Sequence, residues 1–379
     1  MTIEKPGDTS LAPLAFFIPG LNGGGAQRVF VTLVNTLVNI TNHPIHLVTS
    51  REGGAFEGLV DARVIRVVLG QRRAALSILP LARYIRAERP VAMVSTLDYC
   101  NVIFLVATMF ARGPMRKVVR EANVIHDQDD SPWEKLKSHA LRFLMRLLYR
   151  RADRVIIITK DVERSLIQHR IARADRMRRI PNPVALPKVP SIASTSATLP
   201  RTPFILAIGR LSYQKGFDVL IKAFAQLAAR DIGLVILGEG PLESQLRELA
   251  LELGVAERVH FPGFVGSAST YLAAATLFVL PSRWEGFSNV LAEALAAGTP
   301  IVASDCPGSA REVLDHGRLG RLVPVGEPRA LAKAIVDELA CPSATPERRR
   351  KRASQYEPEK IAGQYLLLLT GGCEHPGRI

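Results

Sequence analysis

The chain has 379 residues, of which 47% are hydrophobic and 22% are charged, a composition that excludes wholesale disorder. This length allows two domains, each with its own buried core. The 4 cysteines lie far apart and form no CxxC pair, so neither a disulfide framework nor a zinc site is expected.

Basic residues are concentrated in the first half of the chain. Residues 1–184 carry 28 Lys and Arg against 16 Asp and Glu, a net of +12, whereas residues 185–379 carry 21 against 19, a net of +2. Nucleic acid, anionic lipid headgroups and phosphate-bearing substrates would all suit the first half. Its few aromatic residues argue against single-stranded nucleic acid. An Arg-rich soluble protein without such a partner is the alternative.

Strand-like and helix-like segments alternate from the first residues onward. Apolar runs predict strands at residues 14–18, 45–49, 64–69, 91–96, 117–120 and 155–159, with helical patterns at 26–39 and 77–89. Continuous apolar strands between helices are typical of parallel sheets that are covered on both faces. We therefore expect an α/β fold.

No secretory signal or membrane span is expected. The apolar stretch 11–21 is broken by two prolines and runs into a glycine loop. The stretch 91–110 contains Asp98 and Asn101, which suit a strand and a buried helix better than a span.

Six prolines within residues 180–203 interrupt the alternation and predict a linker, since proline sustains neither a helix interior nor a central strand. The alternation then restarts, with strands predicted at 204–208, 233–237, 259–261 and 277–280 and helices at 217–229, 242–254, 268–275 and 290–297. The predicted division is residues 1–184, a linker at 185–203, a second domain at 204–355, and a charged C-terminal helix and tail at 356–379.

Two cations follow the strand at 204–208. Arg210 and Lys215 stand between Gly209 and Gly216, which let the backbone turn tightly. Because ligands of open parallel sheets bind at the carboxyl ends of the strands, this pair suits a pyrophosphate. Solvated loop cations are the alternative.

A second polar loop follows the strand at 277–280. Ser288 suits an N-cap and Gly298 a helix end, so a helix is predicted whose free N–H groups near Asn289 and Val290 would bind an anion. Glu285 and Glu293 bracket this helix start, where carboxylates would accept hydrogen bonds from sugar hydroxyls. The alternative for Glu293 is that it only stabilises the dipole of its own helix.

A glycine loop follows the first strand and leads to Arg28. It is not GxGxxG, and no acidic residue follows at the spacing that a nicotinamide site requires. Its glycines would permit close approach of a phosphate or sugar. They are Gly20, Gly23, Gly24 and Gly25.

Together these motifs resemble the family 4 retaining glycosyltransferases of the GT-B fold. The resemblance rests on GGGAQR at 23–28, PNPV at 181–184, GRLSYQKG at 209–216 and EGFSNVLAEALAAGTPIVAS at 285–304. It implies two Rossmann-like domains facing across a cleft, an acceptor-binding first domain, a nucleotide-sugar-binding second domain, and a C-terminal helix that returns to the first domain.

The resemblance also implies roles for particular residues. Arg210 and Lys215 would bind the donor diphosphate, Glu293 the ribose, and Glu285 the transferred sugar. Arg210, Lys215, Glu285 and His126 are the expected catalytic residues. The expected donor site also includes the glycine loop (Gly23, Gly24, Gly25) and the stretch Gly286, Phe287, Ser288, Asn289 and Val290.

The resemblance further implies that no divalent metal is required, and no cofactor is expected. The cations and the helix start would stabilise the negative charge that develops on the leaving diphosphate. Asp127 and Asp129 match a DxD metal motif only superficially and are interpreted as a solvated loop.

The acceptor is expected in the first domain, where Asp98 and Asn101 follow one strand and Arg120 and Asn123 follow another. Burial at a helix start is the alternative for Asp98 and Asn101. His126 alternatively is a surface histidine without a function.

Residues 133–154 combine apolar and basic residues at helical spacing. This stretch suits an anionic membrane surface, with the protein peripheral to the inner face of the cytoplasmic membrane. The alternative is an ordinary covering helix with its apolar stripe on the sheet.

The leading hypothesis is retaining transfer of a hexose or N-acetylhexosamine from a UDP-sugar to a glycan or lipid-linked acceptor. Two other hypotheses remain open: an epimerase or phosphorylase with a similar donor site, and a non-enzymatic basic protein that binds lipid or nucleic acid. Nucleic acid is not an expected partner of the leading hypothesis.

Overall fold

The computed structural model describes residues 11–22, 24–111, 113–125, 132–184, 199–200, 202–229, 231–265 and 268–371, without the side chains of 132–134. The chain divides into two compact units. Unit 1 comprises Met1–Ile158, Val162–Pro183 and Pro358–Ile379, and unit 2 comprises Thr159–Asp161 and Val184–Glu357. His126, Asp127, Asp129, Gly23 and most of the predicted linker lie outside the described residues.

Unit 1 is built on a parallel sheet of seven strands in the order β3-β2-β1-β4-β5-β6-β7. The strands are β1 (Leu14–Ile18), β2 (Ile45–Thr49), β3 (Ile65–Val68), β4 (Ala92–Thr96), β5 (Arg116–Glu121), β6 (Arg154–Ile157) and β7 (Met177–Arg179). The helices are α1 (Gly25–Ile40), α2 (Ile78–Glu88), α3 (Asp98–Phe110), α4 (Pro132–Leu148) and α5 (Lys160–Gln168).

The burial of each strand in unit 1 depends on its position in the sheet. β1, β2 and β4 are buried at every residue, as continuous apolar runs predict for central strands covered on both faces. β3 lies at the edge, and its Ile65 is 48% exposed. The stretch 91–110 folds as β4 and the largely buried α3, which confirms the predicted strand and helix. None of the helices in the described part of the chain is long and apolar enough to cross a membrane.

Unit 2 is a second parallel sheet, of six strands in the order β10-β9-β8-β11-β12-β13. Its strands are β8 (Phe204–Ile208), β9 (Gly233–Leu237), β10 (Val259–Gly263), β11 (Leu277–Leu280), β12 (Ile301–Ser304) and β13 (Arg321–Val323). Its helices are α6 (Phe217–Phe224), α7 (Glu243–Glu252), α8 (Ser269–Ala274), α9 (Asn289–Ala297), α10 (Ala310–Val313), α11 (Pro328–Ala340) and α12 (Pro346–Ala353).

The last helix, α13 (Pro358–Thr370), belongs to unit 1, where Ile361, Tyr365 and Leu368 are buried in the same core as α1. α12 stays in unit 2 and packs on α9. Its fully buried Arg349 donates to the carbonyl of Gly298 at 3.4 Å, beyond the end of α9, and pairs with Glu338 at 2.8 Å. The last part of the chain therefore contributes one helix, α12, to unit 2 and another, α13, to unit 1.

The strand orders locate a crevice in each sheet. In unit 1 the order reverses between β1 and β4, and in unit 2 between β8 and β11. Ligands of open parallel sheets bind at such reversal points, outside the carboxyl ends of the strands. The polar loops predicted from the sequence follow these four strands.

Candidate active site

Two loops of unit 2 meet at the reversal point between β8 and β11. Gly216, which follows Lys215, has φ 65°, and a Cβ there would stand 2.1 Å from the carbonyl oxygen of Pro281. The amide of Arg283 donates to the carbonyl of Gln214 at 2.8 Å. Backbone contact of this kind requires a glycine, and it brings the two predicted polar loops together.

Lys215 and Glu285 form an ion pair at the centre of this junction. The Lys215 Nζ lies 2.6 Å from the Glu285 Oε1, and their side chains are 17% and 6% exposed. The Ser282 Oγ also donates to the Glu285 Oε1 at 2.6 Å. An ion pair this buried requires both partners, since loss of one leaves an uncompensated charge.

The start of α9 lies next to this pair in the chain. Ser288 occupies the N-cap position, as predicted, but its hydroxyl makes no cap hydrogen bond. Its Oγ is buried without a hydrogen-bond partner among the described residues, and its backbone N–H donates to the Ser309 Oγ at 2.9 Å. The start of a helix presents backbone N–H groups and the positive end of the helix dipole, so this part of the site is suited to an anion.

The other predicted donor residues of unit 2 lie in or next to the same loops. Gly286 is buried, Phe287 packs edge-on against Tyr356 with ring centroids 5.3 Å apart, and Asn289 and Val290 begin α9. Glu293 lies within α9 and is 8% exposed. Arg210 follows β8 with an exposed side chain, so it is accessible to a ligand but makes none of the ion pairs described above.

The glycine loop of unit 1 lies at the other reversal point. Gly24 is the residue before α1, with φ 148°, and Gly25 is the first residue of that helix. A Cβ at Gly20 would stand 3.1 Å from the Arg51 Nε, so the arginine stem lies over this loop. The described glycines therefore help to turn the chain from β1 into α1.

Two of the predicted acceptor residues are fully buried, which does not support direct contact with an acceptor. Asn101 is 0% exposed and donates to the Glu121 Oε1 at 2.8 Å and the Tyr149 Oη at 3.0 Å. Arg120, also 0% exposed, donates to the Thr96 Oγ1 at 2.8 Å and to Asn182. For Asn101 the alternative, burial at a helix start, is the one observed.

The other two acceptor residues, Asp98 and Asn123, line a cavity of about 130 Å³ at the carboxyl ends of β4 and β5, between α3 and α4. We name it the α3–α4 cavity. Glu121 lines it too, and burial raises the pKa of its carboxyl to about 8, with Asp98 adding to the rise. Burial likewise raises the pKa of Asp98.

Comparison with known families agrees with this geometry. Residues 23–187 match the family model described as Glycosyltransferase Family 4, and residues 202–340 match the model described as Glycosyl transferases group 1. The chain belongs to glycosyltransferase family 4.

Named relatives of this glycosyltransferase act on lipid-linked or lipopolysaccharide acceptors. An N-acetylgalactosamine-N,N'-diacetylbacillosaminyl-diphospho-undecaprenol 4-alpha-N-acetylgalactosaminyltransferase of Campylobacter jejuni is 29% identical over 94% of this chain and 99% of that protein. A lipopolysaccharide core biosynthesis glycosyltransferase of Rhizobium meliloti is 34% identical over 44% of this chain and 50% of that protein.

Solved structures share the fold. An Anabaena protein in complex with UDP and glucose has 22% identity and a TM-score of 0.78 over 95% of this chain and 100% of that one. WaaG, a glycosyltransferase of lipopolysaccharide biosynthesis, has 18% identity and a TM-score of 0.72 over 95% and 100%. The α/β, GT-B fold class predicted from the sequence is confirmed.

Sequence reasoning missed several residues of the candidate site. Arg283 binds Asp218 through two hydrogen bonds of 2.9 and 2.8 Å and lies 3.9 Å from the centroid of the Tyr213 ring. Burial favours the neutral Asp218 carboxyl, but the hydrogen bonds and charge of Arg283 outweigh it and lower the pKa. This pair joins the first turn of α6 to the loop before α9.

A third loop, after β12, was also missed. The amide of Glu285 donates to the carbonyl of Pro307 at 2.9 Å, and a Cβ at Gly308 would stand 2.3 Å from the carbonyl oxygen of Glu285. Burial raises the pKa of the neighbouring Cys306 thiol to about 12, and Glu285 adds to the rise. Two sequence signals for this third loop were available: it follows a strand, and it contains a glycine.

The amphipathic helix α4 exposes apolar side chains on one face. Leu136, Phe143, Leu144 and Leu147 are 59, 64, 41 and 56% exposed, whereas Met145 and Leu148 are buried. Lys135, Lys137 and Arg146 are exposed on the same helix. A covering helix with its whole apolar stripe on the sheet, the alternative, does not describe this arrangement.

Proposed function

We propose that this family 4 glycosyltransferase moves a hexose or N-acetylhexosamine from a nucleotide-diphosphate sugar, with UDP as the expected nucleotide, to a glycan or lipid-linked acceptor. We further propose that the anomeric configuration is retained and that no divalent metal takes part. One observation carries the proposal. The buried Lys215–Glu285 pair lies in the loops that adjoin the start of α9, where the Ser288 hydroxyl is buried without a hydrogen-bond partner in the described part of the chain.

The donor diphosphate would occupy the anion corner of unit 2. Arg210 and Lys215 supply two positive charges, and the N–H groups at the start of α9 and the Ser288 hydroxyl supply hydrogen-bond donors. A bound diphosphate would attract the Lys215 ammonium and so weaken the ion pair between Lys215 and Glu285. The Glu285 carboxylate would then accept a hydrogen bond from a hydroxyl of the transferred sugar, while Glu293 would hold the ribose.

The same groups would stabilise the leaving diphosphate. When the glycosidic bond to the diphosphate breaks, negative charge develops on its oxygens, and fixed cations and N–H groups lower the energy of that state. Cations already in place give this stabilisation without a divalent ion. The Glu285 carboxylate would stabilise the positive charge that develops on the sugar ring.

Two features support a lipid-linked acceptor. The Campylobacter relative is named for transfer to a diphospho-undecaprenol-linked sugar. In this chain, α4 exposes Phe143 and Leu147 together with lysine and arginine side chains. Basic amphipathic surfaces of this type bind anionic lipid, so we place the enzyme on the cytoplasmic face of the membrane.

The test is release of nucleoside diphosphate by the purified protein from a panel of UDP-, GDP- and ADP-sugars, with EDTA present and membrane extract as the source of acceptor. Release from one donor despite EDTA is the expected result, and the anomeric proton coupling of the product would show retention. Activity that returns only with a divalent ion would refute metal independence. An inverted product would refute retention, and no release or nucleotide binding with any donor would overturn the whole proposal.

A further inference from the structure

The α3–α4 cavity has a mainly polar wall and a mixed wall. The polar wall comes from the strand ends and the start of α3, through Asp98, Glu121 and Asn123, with two apolar residues beside them. The mixed wall comes from α4, where Leu141 and the buried Met145 lie beside Ser138 and Arg142. A ligand group that fills this cavity can therefore meet both hydrogen-bonding and apolar side chains.

The ionisable groups of the cavity do not favour a phosphate, because one guanidinium, that of Arg142, lines it together with two acid groups, Asp98 and Glu121. Burial raises the pKa of both acids, and that of Glu121 to about 8, so the polar wall favours a neutral Glu121 carboxyl, which can donate as well as accept. Such a wall suits a neutral group with both a donor and an acceptor, which describes an amide.

The volume of the cavity limits the size of the ligand group that it can hold. The cavity measures about 130 Å³. Pockets that enclose a whole drug-sized ligand measure roughly 300–1,000 Å³. The α3–α4 cavity thus has room for a substituent of a sugar ring but not for a buried disaccharide.

We propose that the α3–α4 cavity binds the acetamido group of an N-acetylated sugar on the acceptor, with the amide on Asp98, Glu121 and Asn123 and the methyl group on Leu141 and Met145. The inference rests on the proposed function for the statement that this sugar belongs to an acceptor. It makes the cavity a specificity site for N-acetylated acceptors.

The test is saturation-transfer NMR with the full chain and the methyl glycosides of N-acetylglucosamine and N-acetylgalactosamine at millimolar concentration. Strong saturation of the acetyl methyl protons is expected, because these would contact Leu141 and Met145. Ser138 lines the cavity, so Ser138→Phe should fill it and reduce that saturation at least about fivefold. Asn123→Ala removes an amide from the polar wall and should reduce it less.

Gln168→Phe is the matched control, because it adds the same side chain at an exposed position of α5. It should leave the acetyl signal unchanged, and thermal unfolding should show that all three variants fold. Weak acetyl saturation in the wild-type chain, or equal saturation in Ser138→Phe, would overturn the inference even if donor turnover is normal. Acetyl binding without turnover or nucleotide binding would instead overturn the proposed function and leave the cavity assignment standing.

Discussion

The two units place polar groups at the carboxyl ends of similar parallel sheets, but the environments of these groups differ. In unit 2 the groups after β8 and β11 are charged: Lys215 pairs with Glu285, and Arg210 is exposed. In unit 1 the groups after β4 and β5 are mostly hydrogen-bonded inside the protein, and burial favours the neutral form of Glu121. One sheet end is therefore suited to an anion and the other to neutral groups.

This difference shows that a strand end alone does not define a ligand. Both reversal points offer a crevice, as the fold requires. The ligand class depends on whether the groups there stay charged, as Lys215 and Glu285 do in their ion pair, or are favoured in the neutral form by burial, as Glu121 is. The predictions below test this contrast, from the largest expected effect to the smallest.

Glu285→Ala should lower the rate of sugar transfer about a thousandfold, while nucleotide binding changes only a few-fold. The carboxylate is proposed to contact the transferred sugar and not the diphosphate, and loss of one preorganised electrostatic contact costs about 10²–10³ in rate. Product formation and calorimetric nucleotide binding are the two measurements. Normal transfer by this variant would show that the site is assigned wrongly.

Lys215→Ala should damage both nucleotide binding and transfer, and more severely than Arg210→Ala. Lys215 is 17% exposed and its loss leaves the Glu285 carboxylate unpaired, whereas Arg210 is exposed and holds no such partner in the described pairs. We expect roughly a hundredfold loss in kcat/KM for Lys215→Ala and about tenfold for Arg210→Ala, since each 1.4 kcal/mol is a factor of ten. Equal losses would contradict a special role for the buried pair.

Ser288→Ala should weaken nucleotide binding about tenfold without lowering the thermal stability of the free protein. Its hydroxyl is buried without a partner, so removal breaks no described hydrogen bond, whereas a hydrogen bond to a charged ligand contributes about 1.5–3 kcal/mol. Ser282→Ala is the matched control, because it removes the bond to Glu285 and should lower stability. Unchanged nucleotide affinity in Ser288→Ala would place the diphosphate elsewhere.

Replacing Phe143 and Leu147 by serine should reduce binding to vesicles that contain anionic phospholipid about tenfold. Both side chains are more than half exposed, at 64% and 56%, so the double variant should fold normally. Cosedimentation with anionic and with neutral vesicles, at low and high salt, is the measurement. Val336→Ser, at a position 53% exposed on α11, is the control. Equal binding of both variants would exclude α4 as the lipid surface.

Glu121→Gln should become more stable relative to the wild-type chain as pH rises from about 5 to 8. The folded pKa of about 8 exceeds the ordinary glutamate value of 4.5, so the folded wild type holds an extra proton in this range and loses stability as pH rises. The slope is at most about 1.4 kcal/mol per pH unit. Asp98, Arg120 and Tyr149 also act on this carboxyl, and Tyr149 donates to it. Parallel melting curves for the two proteins across this range would refute a neutral Glu121.

Much of the fold could be predicted because the hydrophobic pattern is local. The apolar runs at 14–18, 45–49, 204–208, 233–237 and 277–280 coincide with strands of the structure, residue for residue. Boundaries were less accurate where packing decides them. The helix predicted at 217–229 ends at Phe224, and Pro358 separates α12 from α13 within a stretch that has one charged helical pattern.

The sequence by itself determined which loops follow strands, where glycines allow the backbone to approach a ligand, and which charges stand in those loops. These properties depend on neighbours along the chain. Only the tertiary structure decided that Lys215 meets Glu285 across 70 residues of sequence, that Arg120 and Asn101 are sealed from solvent, and that α4 keeps an apolar face exposed. Pairing and burial depend on which elements pack together, and a polar residue after a strand has the same local pattern in either case.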